Sequence, residues 1–263
     1  DANASNHGAY ADGYNALMNG YNDGLQKSDK NTHTNNGELS RAYNDGNVLG
    51  QKAKGANDFL AGNQNTDSAN TNYTTGFNNA KDGYQDGVDP NNASTASADD
   101  KQTLEYQRAL AVGKAAQSDF HQAEQNAQPS GNSSQQTTAD GVNDAIAKVQ
   151  SNNGTNGGND ISSIQPLGQA DAGTASYKLA YNQALSDAKD ANADAINTFN
   201  AGKPVSDSNL TPANQAVYQQ AYDTYQKGYG EVLKNDPAPT ADMISKMTPN
   251  EKAGYEKAQQ FAT

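Results

Sequence analysis

Tyr10-Ala-Asp-Gly-Tyr14-Asn15 returns along the chain as Tyr73-Thr-Thr-Gly-Phe77-Asn78, Tyr177-Lys-Leu-Ala-Tyr181-Asn182 and Tyr218-Gln-Gln-Ala-Tyr222-Asp223. Weaker copies start at Leu39, Tyr106, Thr138 and Glu251, so successive starts lie 29 to 41 residues apart. Repetition at this length points to a helical array or bundle. Counted from each start as zero, offset 3 is small in every copy: Gly13, Ala42, Gly76, Ala109, Gly141, Ala180, Ala221 and Gly254. Offset 4 is apolar or aromatic in every copy: Tyr14, Tyr43, Phe77, Leu110, Val142, Tyr181, Tyr222 and Tyr255.

The spacing sets the secondary structure. All 14 tyrosines fall at offsets 0, 4, 7 or 11, the alternation of four and three that keeps residues on one face of a packed helix. Period-two alternation appears nowhere, so no strands are expected. Glycine inside a helix costs about 1 kcal/mol relative to alanine. Gly13, Gly20, Gly46, Gly50, Gly76, Gly83, Gly113 and Gly228 therefore need a tertiary reason, and the simplest is room for a neighbouring helix to approach closely. A tyrosine ring then lies across the glycine or alanine of the next helix, its hydroxyl reaching a wetter rim. The expected fold is all-α: about eight helices, one per repeat, in an irregular bundle or short array. Two four-helix bundles are the alternative.

Between the seams lie polar stretches at roughly 27–38, 62–72, 89–100, 128–136, 151–173, 202–212 and 235–249. Thr211-Pro212 and Thr248-Pro249 read as helix starts, Ala61-Gly62 and Ala201-Gly202 as helix stops. Loops of ten to twenty residues are longer than compact domains prefer. The Gly- and Asn-rich run 151–160 marks the expected boundary, giving units 1–150 and 151–263, with 128–136 as the other candidate.

Composition excludes several classes of function. Of 263 residues only 30 are Leu, Ile, Val or Phe, while Gly and Ala together supply 65. Without cysteine there is no disulfide framework, thiolate metal site or cysteine nucleophile. No apolar run is long enough to span a membrane. A net charge of −12 with no basic cluster repels nucleic acid. No leader is visible at Asp1, and the helical pattern still runs at Thr263, so a module of a longer protein is expected.

Candidate chemistry is sparse. His121 and Glu124 stand one helical turn apart, a spacing a metal could use, but no second pair joins them and no metal or other cofactor is expected. The stretch from Asp29 begins like a calcium loop, yet Thr34 stands where the turn needs glycine and Ser40 where it needs a bidentate glutamate. Asp86, Asp89, Asn91 and Asn92 could offer oxygens from one loop. Gly50 and Gly55 have phosphate-loop spacing without the Lys-Ser/Thr that follows in such loops. No nucleophile elbow, zincin helix or dinucleotide fingerprint is present, so no catalytic residues are assigned.

The tyrosine–glycine–alanine helical phrase, the Asn-, Asp- and Thr-rich spacers, the lack of cysteine and the acidic charge together resemble extracellular surface proteins of lactobacilli and related Gram-positive bacteria. That resemblance implies secretion, exposure at the cell wall and a role in adhesion or aggregation. Two departures stand out: there is no Leu-Pro-x-Thr-Gly sorting signal and no basic wall-binding segment. The function expected is a non-enzymatic cell-surface interaction or spacer module. Its partners would be a surface glycan or protein or a second copy, without nucleic acid or membrane insertion. A carbohydrate-binding module of the cell envelope is the alternative. The candidate ligand-binding residues are Tyr218, Tyr222, Tyr225 and Tyr229, four rings along three turns of one helix; a core position for that helix, packed on two neighbours, is the other account.

Overall fold

The computed structural model describes residues 2–32, 35–92, 94–126, 137–233 and 239–262. Among these residues there are nine α-helices and no strand: α1 (Ala2–Leu25), α2 (Gly37–Leu60), α3 (Thr71–Val88), α4 (Leu104–Asn126), α5 (Thr138–Gly154), α6 (Ala175–Asn200), α7 (Pro212–Leu233), α8 (Ala241–Ser245) and α9 (Pro249–Ala262). The all-α reading is what the chain adopts. Eight helices carry the repeats, and α8 is an additional short turn inside the polar stretch before α9.

Helix ends follow local chemistry. Asn36, Asn70, Thr174 and Thr240 cap α2, α3, α6 and α8 through their side-chain oxygens, and Thr137 with Asp140 forms a reciprocal capping box on α5. At the other end, Gly62 and Gly202 adopt φ of 78° and 63°, and the amides of Asn63 and Lys203 reach back to the carbonyls of Asp58 and Thr198. This is the left-handed stop that only glycine enters at no steric cost.

The helices pack through their small residues. A methyl group added to Gly20 would lie less than 3 Å from the Tyr43 carbonyl oxygen, and one on Gly46 would do the same to Leu17. Gly24 likewise faces the carbonyl of Asn47, and Gly50 that of Tyr21. Partners rise together along both helices, 20 with 46 and 24 with 50, so α1 and α2 run parallel. The same register links Gly55 with Gly76, Gly83 with Ala109, Gly87 with Gly113, Gly141 with Ala180 and Gly228 with Gly254. In every pair each glycine faces the carbonyl three residues before its counterpart. Close parallel approach through small residues spaced four apart is best known from membrane helices, where backbones touch and Cα–H groups meet carbonyls. Here it operates in helices that are polar on their outer faces, and no helix among the described residues is long and apolar enough to cross a membrane.

Parallel neighbours explain the long connections. A loop joining two parallel neighbours must travel back along the next helix before that helix can begin. After α1, the Ser28 carbonyl accepts from Asn47, the Lys30 amide donates to the Tyr43 hydroxyl, and Asn31 donates to Ser40, so the chain descends α2 as its numbers rise. After α5 the descent repeats along α6: Lys189 donates to the Ile164 carbonyl, Asn182 pairs with Leu167, and Lys178 donates to the Gln169 carbonyl.

The chain forms two compact units, Asp1–Gln117 and Ser118–Thr263, and the division falls inside α4. The run 151–160 carries the last turn of α5 and lies within the second unit, while the other candidate boundary, 128–136, lies outside the described residues. In the first unit the core is built from Ala56, Ala80, Tyr84, Ala109 and Ala116, with Phe59 and Val88 packed against it. The second unit holds the aliphatic core that composition concealed, around Val142, Ile146, Val149, Leu185 and Val217. Ile161 and Ile164, from a stretch read as plain polar loop, are buried in it.

The seam reading needs two corrections. Nine of the 14 tyrosines are buried, but Tyr10 and Tyr14 are 76% and 55% exposed, although their copy of the phrase is complete. The second copy is out of register by one turn. Its docking tyrosine is Tyr43, with Gly46 as its small residue, rather than Leu39 with Ala42.

Candidate functional site

Close packing brings a tyrosine hydroxyl of α2, α3, α4 and α6 onto a carboxylate of the helix before it. Tyr43 donates to Asp23, Tyr73 to Asp58 at 2.8 Å, Tyr106 to Asp86, and Tyr177 to Asp144 at 3.0 Å. Each of these aspartates stands three residues after the glycine that admits the next helix: Gly20, Gly55, Gly83 and Gly141. Once the glycine brings two backbones together, the ring spans the contact and its hydroxyl reaches the next turn.

Electrostatics follow the same geometry. Burial pushes the Tyr106 hydroxyl up to about 12, with Asp86 beside it adding to the rise; Tyr43, Tyr73 and Tyr177 move upward for the same reasons. Burial opposes ionisation of Asp58, but hydrogen bonds from Lys54 and Tyr73 outweigh it and hold the carboxyl below its ordinary range. Asp86 is held low against its own burial by the Ser94 amide, the Tyr106 hydroxyl and the Ser94 hydroxyl, with Lys101 3.5 Å away. A carboxylate so engaged has little left to offer a cation. Of the candidate oxygens in this loop, Asp89 accepts from the Asn91 amide and Asp86 turns inward onto Tyr106, while the Asn92 side chain lies outside what the structure describes. The stretch from Asp29 folds as an Asx turn onto the Asn31 amide, and its continuation through His33 and Thr34 lies outside the described residues.

Three of the four tyrosines in the α7 stripe gather around one ring. Phe199 at the end of α6 meets Tyr222, Tyr225 and Tyr229 edge-on at 5.5, 5.4 and 5.3 Å. Tyr218 and Tyr225 are buried, Tyr222 and Tyr229 half-buried. The Tyr225 hydroxyl donates to Asn200 at 3.0 Å, whereas the buried Tyr218 hydroxyl has no partner among the described residues. Tyr225 also lies where α9 approaches, its carbonyl facing Gly254, so α7 packs on both α6 and α9.

His121 and Glu124 occupy the last turns of α4. Glu124 is buried, accepts from Asn214 at 3.3 Å, and is pushed upward by burial and by Asp187. No group of three or more His, Asp or Glu among the described residues is placed to hold a metal ion.

Two features escaped sequence reasoning. One is an asparagine node in the second unit, where Asn192 of α6 accepts from Asn153 of α5 and Asn250 of α9, both at 2.9 Å and all three buried. In a chain this rich in asparagine, nothing local distinguishes them. The other is a polar pocket of about 240 Å³ in the first unit, lined by Asn19, Asn22, Asp23, Lys30, Thr32 and Tyr43. The signal that could have found its aspartate is the one shared by four helices, an aspartate three residues after a close-packed glycine at Gly20, Gly55, Gly83 and Gly141. No family model, curated protein or solved structure matches the chain.

Proposed function

We propose that this chain is a non-enzymatic module of the Gram-positive cell surface, acting in adhesion or aggregation or as a spacer, and working outside the cell. One observation carries the reading. The side chains best suited to chemistry, the tyrosines and their aspartates, are spent on holding parallel helices together. What remains outside is a polar, acidic surface on helices. Such a surface suits presentation and spacing, and the lack of cysteine frees the fold from any redox requirement. The partner is a host or bacterial surface protein or glycan, or another copy.

A second reading, a carbohydrate-binding module, has support from the pocket beside Asp23 and Tyr43. Amide, carboxylate, ammonium and hydroxyl groups converge there, and these are the groups that bond to sugar hydroxyls. A glycan array together with cell-binding and self-association assays on the chain separates the two. Adherence or self-association without a saturable hit on one glycan class supports the first; a saturable hit lost on Asn22→Ala supports the second.

A further inference from the structure

α1 repeats the design of α3 residue for residue along one face. Tyr10, Gly13, Tyr14, Gly20, Tyr21, Asp23 and Gly24 stand where α3 has Tyr73, Gly76, Phe77, Gly83, Tyr84, Asp86 and Gly87. The later half of this face is used alike in both helices, Gly20 and Gly24 meeting α2 and Gly83 and Gly87 meeting α4. The earlier half differs. In α3 it is covered by α2: Tyr73 and Phe77 are 0% and 3% exposed, Gly76 faces the Lys52 carbonyl, and the Tyr73 hydroxyl rests on Asp58. In α1 the equivalent Tyr10 and Tyr14 stand in solvent, and nothing lies within 4 Å of a methyl group placed on Gly13.

We propose that the Tyr10–Gly13–Tyr14 face of α1 is a docking site for a helix of this same repeat type, parallel to α1 and carrying a Gly-x-x-Asp phrase. The α2–α3 contact defines the occupant. The glycine of the incoming helix sits opposite Gly13, and its aspartate accepts the Tyr10 hydroxyl as Asp58 accepts Tyr73. The face admits no bulkier partner at this separation, because each small residue lies against the other backbone. A second copy of this chain does not supply the helix. Its four helical Gly-x-x-Asp phrases, at Gly20, Gly55, Gly83 and Gly141, already hold Tyr43, Tyr73, Tyr106 and Tyr177. The proposal stands on the packing alone and is independent of any role at a cell surface.

The test supplies the missing helix within the full chain. Residues 36–70, which are α2 with its cap and return loop, are duplicated and placed directly before Gly8 in place of residues 1–7. This sets Gly55 of the added copy opposite Gly13 in the α2–α3 register. The expected result is a folded added helix, its amides exchanging more slowly by about tenfold or more than in the same chain with Gly55→Leu in the added copy only. Tyr10→Phe should weaken that protection and Gly13→Leu should abolish it. Because the control substitution lies outside the original residues, loss of docking is separated from collapse of the protein. Equal, fast exchange of the added segment with and without Gly55→Leu would overturn the proposal. So would sedimentation of the unextended chain as a dimer that Gly13→Leu dissociates, which would give the face to a second copy.

Discussion

The Tyr73 hydroxyl donates to the Asp58 carboxylate across the α2–α3 contact, with both side chains buried. Removing the hydroxyl leaves the carboxylate with Lys54 and Asn63 but without its donor from α3. A hydrogen bond to a charged group is worth about 1.5–3 kcal/mol, so Tyr73→Phe should lower stability by that order. Tyr218→Phe is the opposite case. Its hydroxyl is buried without a partner among the described residues, and removing it should be neutral or stabilising. Urea unfolding of the two variants checks the contrast, and equal losses would show that ring packing alone determines the effect.

Glycine to alanine substitution should reverse sign between Gly13 and Gly76. At Gly13 the added methyl meets open space, and better helix propensity should stabilise the chain by up to about 1 kcal/mol. At Gly76 the methyl would press into the Lys52 carbonyl, so α2 and α3 must move apart, costing about 1–3 kcal/mol or more. Ala180→Leu and Ala221→Leu should fall in the same destabilising range, because both alanines are buried against neighbouring helices. Thermal unfolding by circular dichroism reads all four.

These two glycines also mark how far the sequence could be read. The 4-3 spacing and the small offset 3 both exposed the helices and the packing face, since both are local consequences of helical periodicity. Whether a complete phrase is buried is a tertiary fact: Tyr10 and Tyr73 sit in near-identical phrases, one in water and one in the core. The parallel course of the helices was encoded less directly. A row of small residues reads alike in either direction, and only loops long enough to run back along a helix betray it. The α7 stripe was visible as four rings, but its partner Phe199 stands in the preceding repeat.

Stability should fail at both ends of the pH scale for linked reasons. Asp58 and Asp86 are held below the ordinary carboxylate value of 3.8 in the fold, by Lys54 and Tyr73 in one case and by Ser94 and Tyr106 in the other, against the pull of burial. The unfolded chain therefore takes up protons first, and this contribution is full above about pH 4 and lost as pH falls through the folded values. Tyr106 behaves inversely. Its hydroxyl, raised to about 12 by burial and by Asp86, keeps a proton that the unfolded chain releases near 10. Its contribution is full below pH 10 and lost between 10 and 12. Urea midpoints across pH should show both limbs, the alkaline one coinciding with tyrosinate absorbance. Complete tyrosinate formation with the helical signal intact would contradict the assignment.

Asn192 should be intolerant of substitution because it is a buried junction between helices. Its side-chain oxygen is the acceptor for both Asn153 and Asn250, tying α5, α6 and α9 together in the second unit. Asn192→Leu keeps the branched shape, though with bulkier methyl groups, and leaves two buried amide donors without that acceptor, at about 1–3 kcal/mol each. The triple replacement of Asn153, Asn192 and Asn250 by Leu removes the unmet donors along with the acceptor. It should therefore recover stability relative to the single variant. A triple variant less stable than Asn192→Leu would mean that shape, not hydrogen bonding, governs the node.

Tyr225 decides the standing of the α7 cluster as a binding surface. The ring is 2% exposed, meets Phe199 edge-on, and hands its hydroxyl to Asn200. Truncating it removes contact with α6 and opens a cavity where α9 also approaches, so Tyr225→Ala should cost about 3–5 kcal/mol, as expected for a buried aromatic. Tyr229, half-buried at the edge of the same cluster, should cost less when truncated. A ligand engaging this helix would have to use the exposed edges of Tyr222 and Tyr229, so Tyr222→Ala and Tyr229→Ala are the variants in which binding could fall while the fold survives. Unchanged stability of Tyr225→Ala with lost glycan or cell binding would reassign the cluster from core to site. Lost stability with binding intact in the folded Tyr222→Ala and Tyr229→Ala chains would leave it as packing between α6, α7 and α9.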